Sequence, residues 1–208
     1  MDVFDDEGDY SAFERVLAEA LLREPGVRLL GYCLMPNHWH LVLWPRRDRE
    51  LSEFMRWLTL THTQRWHAHR HTAGTGPVYQ GRFKSFPVQQ EAHLLNVLRY
   101  VERNAKQAGL VQQAERWRWG SLWRWENRRK PIGRAPELPV LSDWPVARPR
   151  QWKRTVNAVL HKIHADSIQH SIKRSAPYGS KGWTGRTAQR LGIESSINPI
   201  GRPRKEAE

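Results

Sequence analysis

The stretch from Val27 to Trp44 constrains the fold more than any other part of the chain. Two apolar runs, Val27 to Leu34 and His40 to Trp44, are separated by Met35-Pro36-Asn37, whose turn chemistry suits an antiparallel hairpin. His38 and His40 would open the second strand. Side chains alternate along a strand, so this i, i+2 pair shares one face and is a candidate pair of metal ligands. The competing reading is two strand histidines with ordinary partners.

Helical periodicity surrounds the hairpin. Ser11-Ala-Phe-Glu14 reads as a capping box, and Phe13, Val16, Leu17, Ala20 and Leu21 follow at helical spacing, so a first helix is expected over Ser11 to Arg23, closed by Pro25-Gly26. A second is expected over Leu51 to His69. "VYQGRFKSFPV", Val78 to Val88, alternates well enough for a strand, with Arg82 and Lys84 on one face. A third helix is expected over Gln90 to Ala108, stopping at Gly109. At about 100° per residue, Leu94, Leu95, Leu98, Val101 and Ala105 form its core stripe. Tyr100 lies off that stripe, among His93, Asn96, Asn104 and Gln107, where a plain surface tyrosine is the simplest reading.

Residues 131–149 carry five prolines and read as a linker or extended arm. Beyond it come an expected helix over Gln151 to Gln169, a Gly-rich turn "YGSKGW", a short helical segment "TAQRLGI" and a terminal "GRPRK". The expected organisation is therefore a domain over 1–130, a linker over 131–149 and a basic, mainly helical extension over 150–208.

Charge points to the partner. The net charge is +13, distributed as −5 over residues 1–30, +9 over 31–145 and +9 over 146–208. With 11 Trp, such a surplus suits a polyanion that also offers flat faces for stacking, which describes nucleic acid. A solvated basic surface is the plainer alternative. No run approaches the ~20 apolar residues of a transmembrane helix, and the single cysteine, Cys33, fits a reducing compartment. A cytoplasmic, nucleoid-associated location is the expectation.

"GYCLMPNHWHLVLWP", "VYQGRFKSFPV" and "LRYVERNAKQAGLV" occur in an order and spacing that resemble the REP-associated tyrosine transposases. These are a branch of the single-tyrosine, insertion-sequence-200-like HUH transposases. The resemblance covers about Asp5 to Trp125, and the tail also resembles a C-terminal extension found in one subgroup. It implies an α+β, ferredoxin-like antiparallel sheet with helices on one face. It also implies a metal-dependent single-strand DNA endonuclease and strand-transferase acting at palindromic, hairpin-forming repeats. The nucleophile maps onto Tyr100, and the metal ligands onto His38, His40 and Asn104. Trp39 stands where the family has an aliphatic residue, with its side chain on the opposite face from the histidines. Mg²⁺ or Mn²⁺ is the implied ion, although the residues alone would also accept Zn²⁺ or Ni²⁺.

The chemistry accounts for these residue types. A protonated tyrosine is a poor nucleophile, and a divalent ion can neutralise a phosphate oxygen and fix in-line geometry. Attack by Tyr100 would leave a 5′-phosphotyrosine and a free 3′-hydroxyl. Gln80, Arg82, Lys84 and Arg99 are expected along the DNA path, with an ordinary solvated surface as the alternative. Arg116 and Arg118, in the Arg/Trp cluster from Arg116 to Arg129, offer phosphate contacts and stacking planes, against a reading in which about half of those tryptophans pack the core. Arg202, Arg204 and Lys205 in "GRPRK" resemble an AT-hook; a disordered tail is as good a reading. His67, His69 and His71 read as solvated helix-end histidines.

The family's opening Tyr-His-Val-Thr-like strand has no counterpart here, so the expected sheet lacks it. A misplaced start codon, a decayed gene copy and a rearranged sheet would each account for this, in that order. The alternative function is accordingly a catalytically inactive, truncated or domesticated relative that only binds DNA hairpins, and RNA binding is a third reading. Both a monomer and a homodimer are compatible with the resemblance.

Overall fold

The computed structural model describes residues 2–127 and 138–198. In chain order the elements are helix α1 (Glu7–Arg23), strands β1 (Val27–Met35) and β2 (His38–Pro45), and helices α2 (Glu50–Arg70), α3 (Ala92–Gln107), α4 (Ser121–Glu126), α5 (Trp152–Asn157), α6 (Lys162–Arg174) and α7 (Lys181–Leu191). The fold is α+β, as expected, and the sheet of the described residues is the two-stranded antiparallel hairpin β1–β2. These residues divide into two compact units, one within 1–83 and 95–160, the other within 84–94 and 161–208.

The first unit is built on the hairpin. Pairing runs from Val27↔Pro45 to Met35↔His38, with an irregularity between Leu29 and Gly31. Paired residues share a face, so Leu29, Tyr32 and Leu34 stand with Leu43, Leu41 and Trp39 on one side. That side meets α1 and α2, where Phe13, Leu17, Phe54 and Leu58 are fully buried. Burial of each such side chain stabilises by about 1.5–3 kcal/mol.

The other side of the hairpin carries Gly31, Cys33 and Met35, opposite Val42, His40 and His38. Helix α3 approaches here. A Cβ at Gly31 would stand 2.8 Å from Leu98 Cδ2, so the absent side chain is what lets the helix sit this close. Leu94, Leu98, Val101 and Ala105 of the expected stripe are buried, Leu95 is half-buried and Val97 joins the buried set.

The outer edge of β1 and the turn that follows it are closed by loops. Leu34 N–H donates to Trp119 O, Val3 and Phe4 N–H both donate to Pro36 O, and Ser142 N–H donates to Leu29 O. Trp144 adds an indole N–H to Leu30 O at 2.7 Å. Within the expected linker, the described residues from 138 on are thus partly seated on the hairpin; 131–137 lie outside the described residues.

Four expectations are corrected. Helix α1 starts at Glu7, not Ser11, because Asp6 caps it, its carboxylate accepting from Asp9 N–H at 3.0 Å. Glu14, the acid of the expected capping box, is fully buried and turned inward to Tyr32 and Arg118. Val78 to Val88 is not a strand: Gly81 takes φ +140° and only Val88 forms a bridge, with Tyr178. Alternation alone cannot make a strand where no neighbouring strand takes its backbone hydrogen bonds. Finally, the expected helix over Gln151 to Gln169 is two helices, α5 and α6, and "YGSKGW" is not all turn, since α7 begins at Lys181.

In the second unit, Tyr178 is held between Pro87 and Gln89, accepting from Gln89 N–H at 2.9 Å and donating its own N–H to Pro87 O at 2.8 Å. Arg174, at the end of α6, donates to the carbonyls of Ser195, Ser196 and Asn198. Among the described residues, no helix is long and apolar enough to cross a membrane.

Candidate active site

Strand alternation brings His38 and His40 together on the α3 side of the hairpin, their ring centroids 4.9 Å apart. The Tyr100 ring, from α3, lies 6.0 Å from His40 at 78°. Asn104 follows one helical turn later, which puts it on the same side of α3 as the tyrosine. All four residues belong to the first unit.

Both imidazoles sit where the protonated form is disfavoured. Burial holds His40 down to about 4, with His38 adding a smaller push, and burial also lowers His38. Both are therefore neutral at pH 7, as metal ligation requires. The His38 Nδ1 lies 2.7 Å from Asn37 Oδ1. With the proton on Nδ1 this hydrogen bond fixes the ring and leaves Nε2 as the free lone pair, the usual outer-sphere arrangement around a metal-binding histidine. Among the described residues no group of three or more His, Cys, Asp or Glu could hold a metal ion. A site built here would draw on the two imidazoles and an amide, a donor set suited to a divalent ion.

Trp39 faces away from this site, as alternation dictates. Its ring packs 5.6 Å from Phe13, and its indole N–H donates to Tyr79 Oη at 3.4 Å. Tyr79 Oη also bonds His62 Nδ1 at 2.7 Å, joining the strand between the two histidines to α2. This chain of three rings was not legible in advance because His62 and Tyr79 sit in different segments without a motif.

Helix α3 is held by charges that sequence reasoning missed. Glu102 is buried and accepts from Ser121 Oγ at 2.7 Å and Trp152 Nε1 at 2.6 Å, while burial raises its carboxyl above the ordinary range. Arg103 donates from one nitrogen to the carbonyls of Val156, Asn157 and Ala158. These carbonyls end α5, where a cation complements the helix dipole. The signal for Glu102 was present: at about 200° from Tyr100 on the helical wheel, it falls inside the apolar stripe.

The expected DNA contacts fare differently. Gln80, Arg82 and Lys84 are exposed, but no strand puts Arg82 and Lys84 on a shared face. Arg99 is committed to the Ala158 and Val159 carbonyls at 3.0 and 2.9 Å. Arg116 is exposed. Arg118 pairs with buried Glu14 at 3.3 Å and lies over Trp119 and Trp123. Trp119 is buried against Tyr10, and Trp117 donates to Leu34 O, so these two tryptophans serve the core. Arg202, Arg204 and Lys205 lie outside the described residues. His67 bonds Thr72 Oγ1 at 2.8 Å, and His71 is the left-handed cap of α2.

A family model described as "Transposase IS200 like" matches residues 1–104 of the 208. The chain belongs to the IS200-like transposase family. The matched stretch holds His38, His40 and Tyr100 and ends on Asn104. Membership gives this IS200-like chain a transposase-like function, with DNA as its partner. No curated protein and no solved structure matches it.

Proposed function

We propose that the chain is a metal-dependent single-strand DNA endonuclease and strand-transferase of the REP-associated type, acting at hairpin-forming repeats. The observation that carries this reading is the convergence of His38, His40 and the Tyr100 ring within 4.9 and 6.0 Å inside a stretch matched by the transposase family. His38 and His40, with Asn104, would hold Mg²⁺ or Mn²⁺. When bound, such an ion supplies charge neutralisation at the scissile phosphate.

The chain's own residues do the rest. Tyr100 Oη attacks phosphorus in line, the P–O3′ bond breaks, the phenol proton departs and the 3′-oxygen takes up a proton. The products are a 5′-phosphotyrosine and a free 3′-hydroxyl. The ester bond is conserved in the adduct, so rejoining needs no external energy source. Exposed Gln80, Arg82, Lys84 and Arg116 are the contacts available to the strand.

The test is incubation of labelled hairpin DNA with the full chain and Mn²⁺. A covalent protein–DNA adduct that disappears in Tyr100→Phe is expected. An adduct that survives the substitution removes Tyr100 from the role, and hairpin binding without an adduct in any divalent metal identifies a non-cleaving DNA binder.

A further inference from the structure

Helix α7 presents a face that the site above does not use. At about 100° per residue, Lys181, Gly185, Gln189, Gly182, Arg186 and Arg190 fall on one half of its circumference, and Thr187 and Ala188 are buried on the other. Gly185 is half-buried and the other five of these face residues are exposed. No ion pair or side-chain hydrogen bond from Lys181, Arg186 or Arg190 occurs among the described residues, and α7 itself contains no acid.

The start of the helix is fixed. Ser180 N–H donates to Gln89 Oε1 at 2.7 Å. A Cβ at Gly179 would stand 2.5 Å from the Trp183 ring, so the turn before α7 is closed tightly over that indole. The exposed face is bare at its middle: nothing lies within 4 Å of a Cβ placed on Gly185. A rigid, cationic helix with two side-chain-free positions can bring its backbone unusually close to a partner surface.

We infer that α7 is a recognition helix that enters the major groove of B-form duplex DNA, such as the stem of a hairpin. The inference rests on the DNA-acting reading above but assigns a separate contact, to duplex rather than to the strand that Tyr100 attacks. Charge complementarity selects a polyanion, and shape selects the duplex. A major groove about 12 Å wide admits one α-helix, whereas the deep, narrow major groove of an RNA duplex does not. Gln189 and Arg186 can each make paired hydrogen bonds to a base edge, Gln to adenine and Arg to guanine, while Lys181 and Arg190 flank them for phosphates.

The test uses the full chain and fluorescence anisotropy with a DNA duplex stem, a single strand of equal length and an RNA duplex of the same sequence, across a salt series. The triple variant Lys181→Gln, Arg186→Gln, Arg190→Gln changes only exposed side chains. It is expected to weaken stem binding about 10- to 100-fold and to flatten the slope of log affinity against log salt by about 2–3. Single-strand binding and Tyr100 adduct formation on a single strand should be unchanged. Gly185→Leu, which leaves the charge intact, should weaken stem binding as well. Unchanged stem affinity in either variant overturns the assignment, as does an equal loss on single strand or RNA duplex. A wild-type chain that forms no adduct but binds the stem through α7 would defeat the catalytic reading alone.

Discussion

Glu102 accepts the indole N–H of Trp152 at 2.6 Å and so ties α3 to α5 inside the core. Glu102→Ala would leave Trp152 Nε1 and Ser121 Oγ as buried, unpaired donors. A loss of about 2–3 kcal/mol is expected, read as a fall in the denaturation midpoint, with Glu102→Gln losing less because it keeps an acceptor.

Burial raises the carboxyls of Glu102 and Glu14 above their ordinary value in the folded state. Between the unfolded and folded pKa the unfolded chain has released a proton that the folded chain retains. Their contribution is therefore fully present at acid pH and is lost as pH rises above the ordinary carboxylate range. Denaturant titrations from pH 4 to 8 should show a shallower fall in Glu102→Gln than in the parent.

His62 has the opposite sign. Burial lowers it to about 4 from an ordinary 6.5, so its contribution is present above pH 6.5 and is lost as pH falls toward 4. His62→Gln should remove part of this acid sensitivity. The two slopes overlap, so it is the variants that separate them.

Tyr79→Phe removes the oxygen shared by Trp39 and His62, at an expected cost of about 1–2 kcal/mol. In a double-mutant cycle with Trp39→Phe the two losses should be less than additive, since one hydrogen bond is common to both. Full additivity would show that the Trp39–Tyr79 contact carries no energy.

Mn²⁺ should raise the melting temperature of the parent and of Tyr100→Phe but not of His38→Ala with His40→Ala. An undiminished shift in the histidine variant would place the ion elsewhere.

Much of this was legible where physics is local. The hairpin followed from two apolar runs around Pro36-Asn37, and α2 from its own periodicity, because their residues bury in the pattern that the backbone repeat dictates. The face shared by His38 and His40, and the opposite orientation of Trp39, followed from alternation alone. What failed was decided by distant partners. Asp6 rather than Ser11 caps α1, and Glu14 turns into the core toward Tyr32 and Arg118. The segment after Tyr79 alternates as a strand does, yet finds no strand beside it. Arg99 was expected along the DNA path, but the carbonyls just past α5, more than fifty residues away, take its hydrogen bonds.

Gly31 stands two residues from Cys33, whose cross-strand partner is His40, and it receives Leu98 of the helix that carries Tyr100. Even one methyl group at position 31 would act as a shim between the strand that supplies the imidazoles and the helix that supplies the phenol. It would alter the distance between the His38–His40 pair and the Tyr100 ring without touching any of them. A position with no side chain at all thus bears on the spacing between the histidine pair and the tyrosine ring.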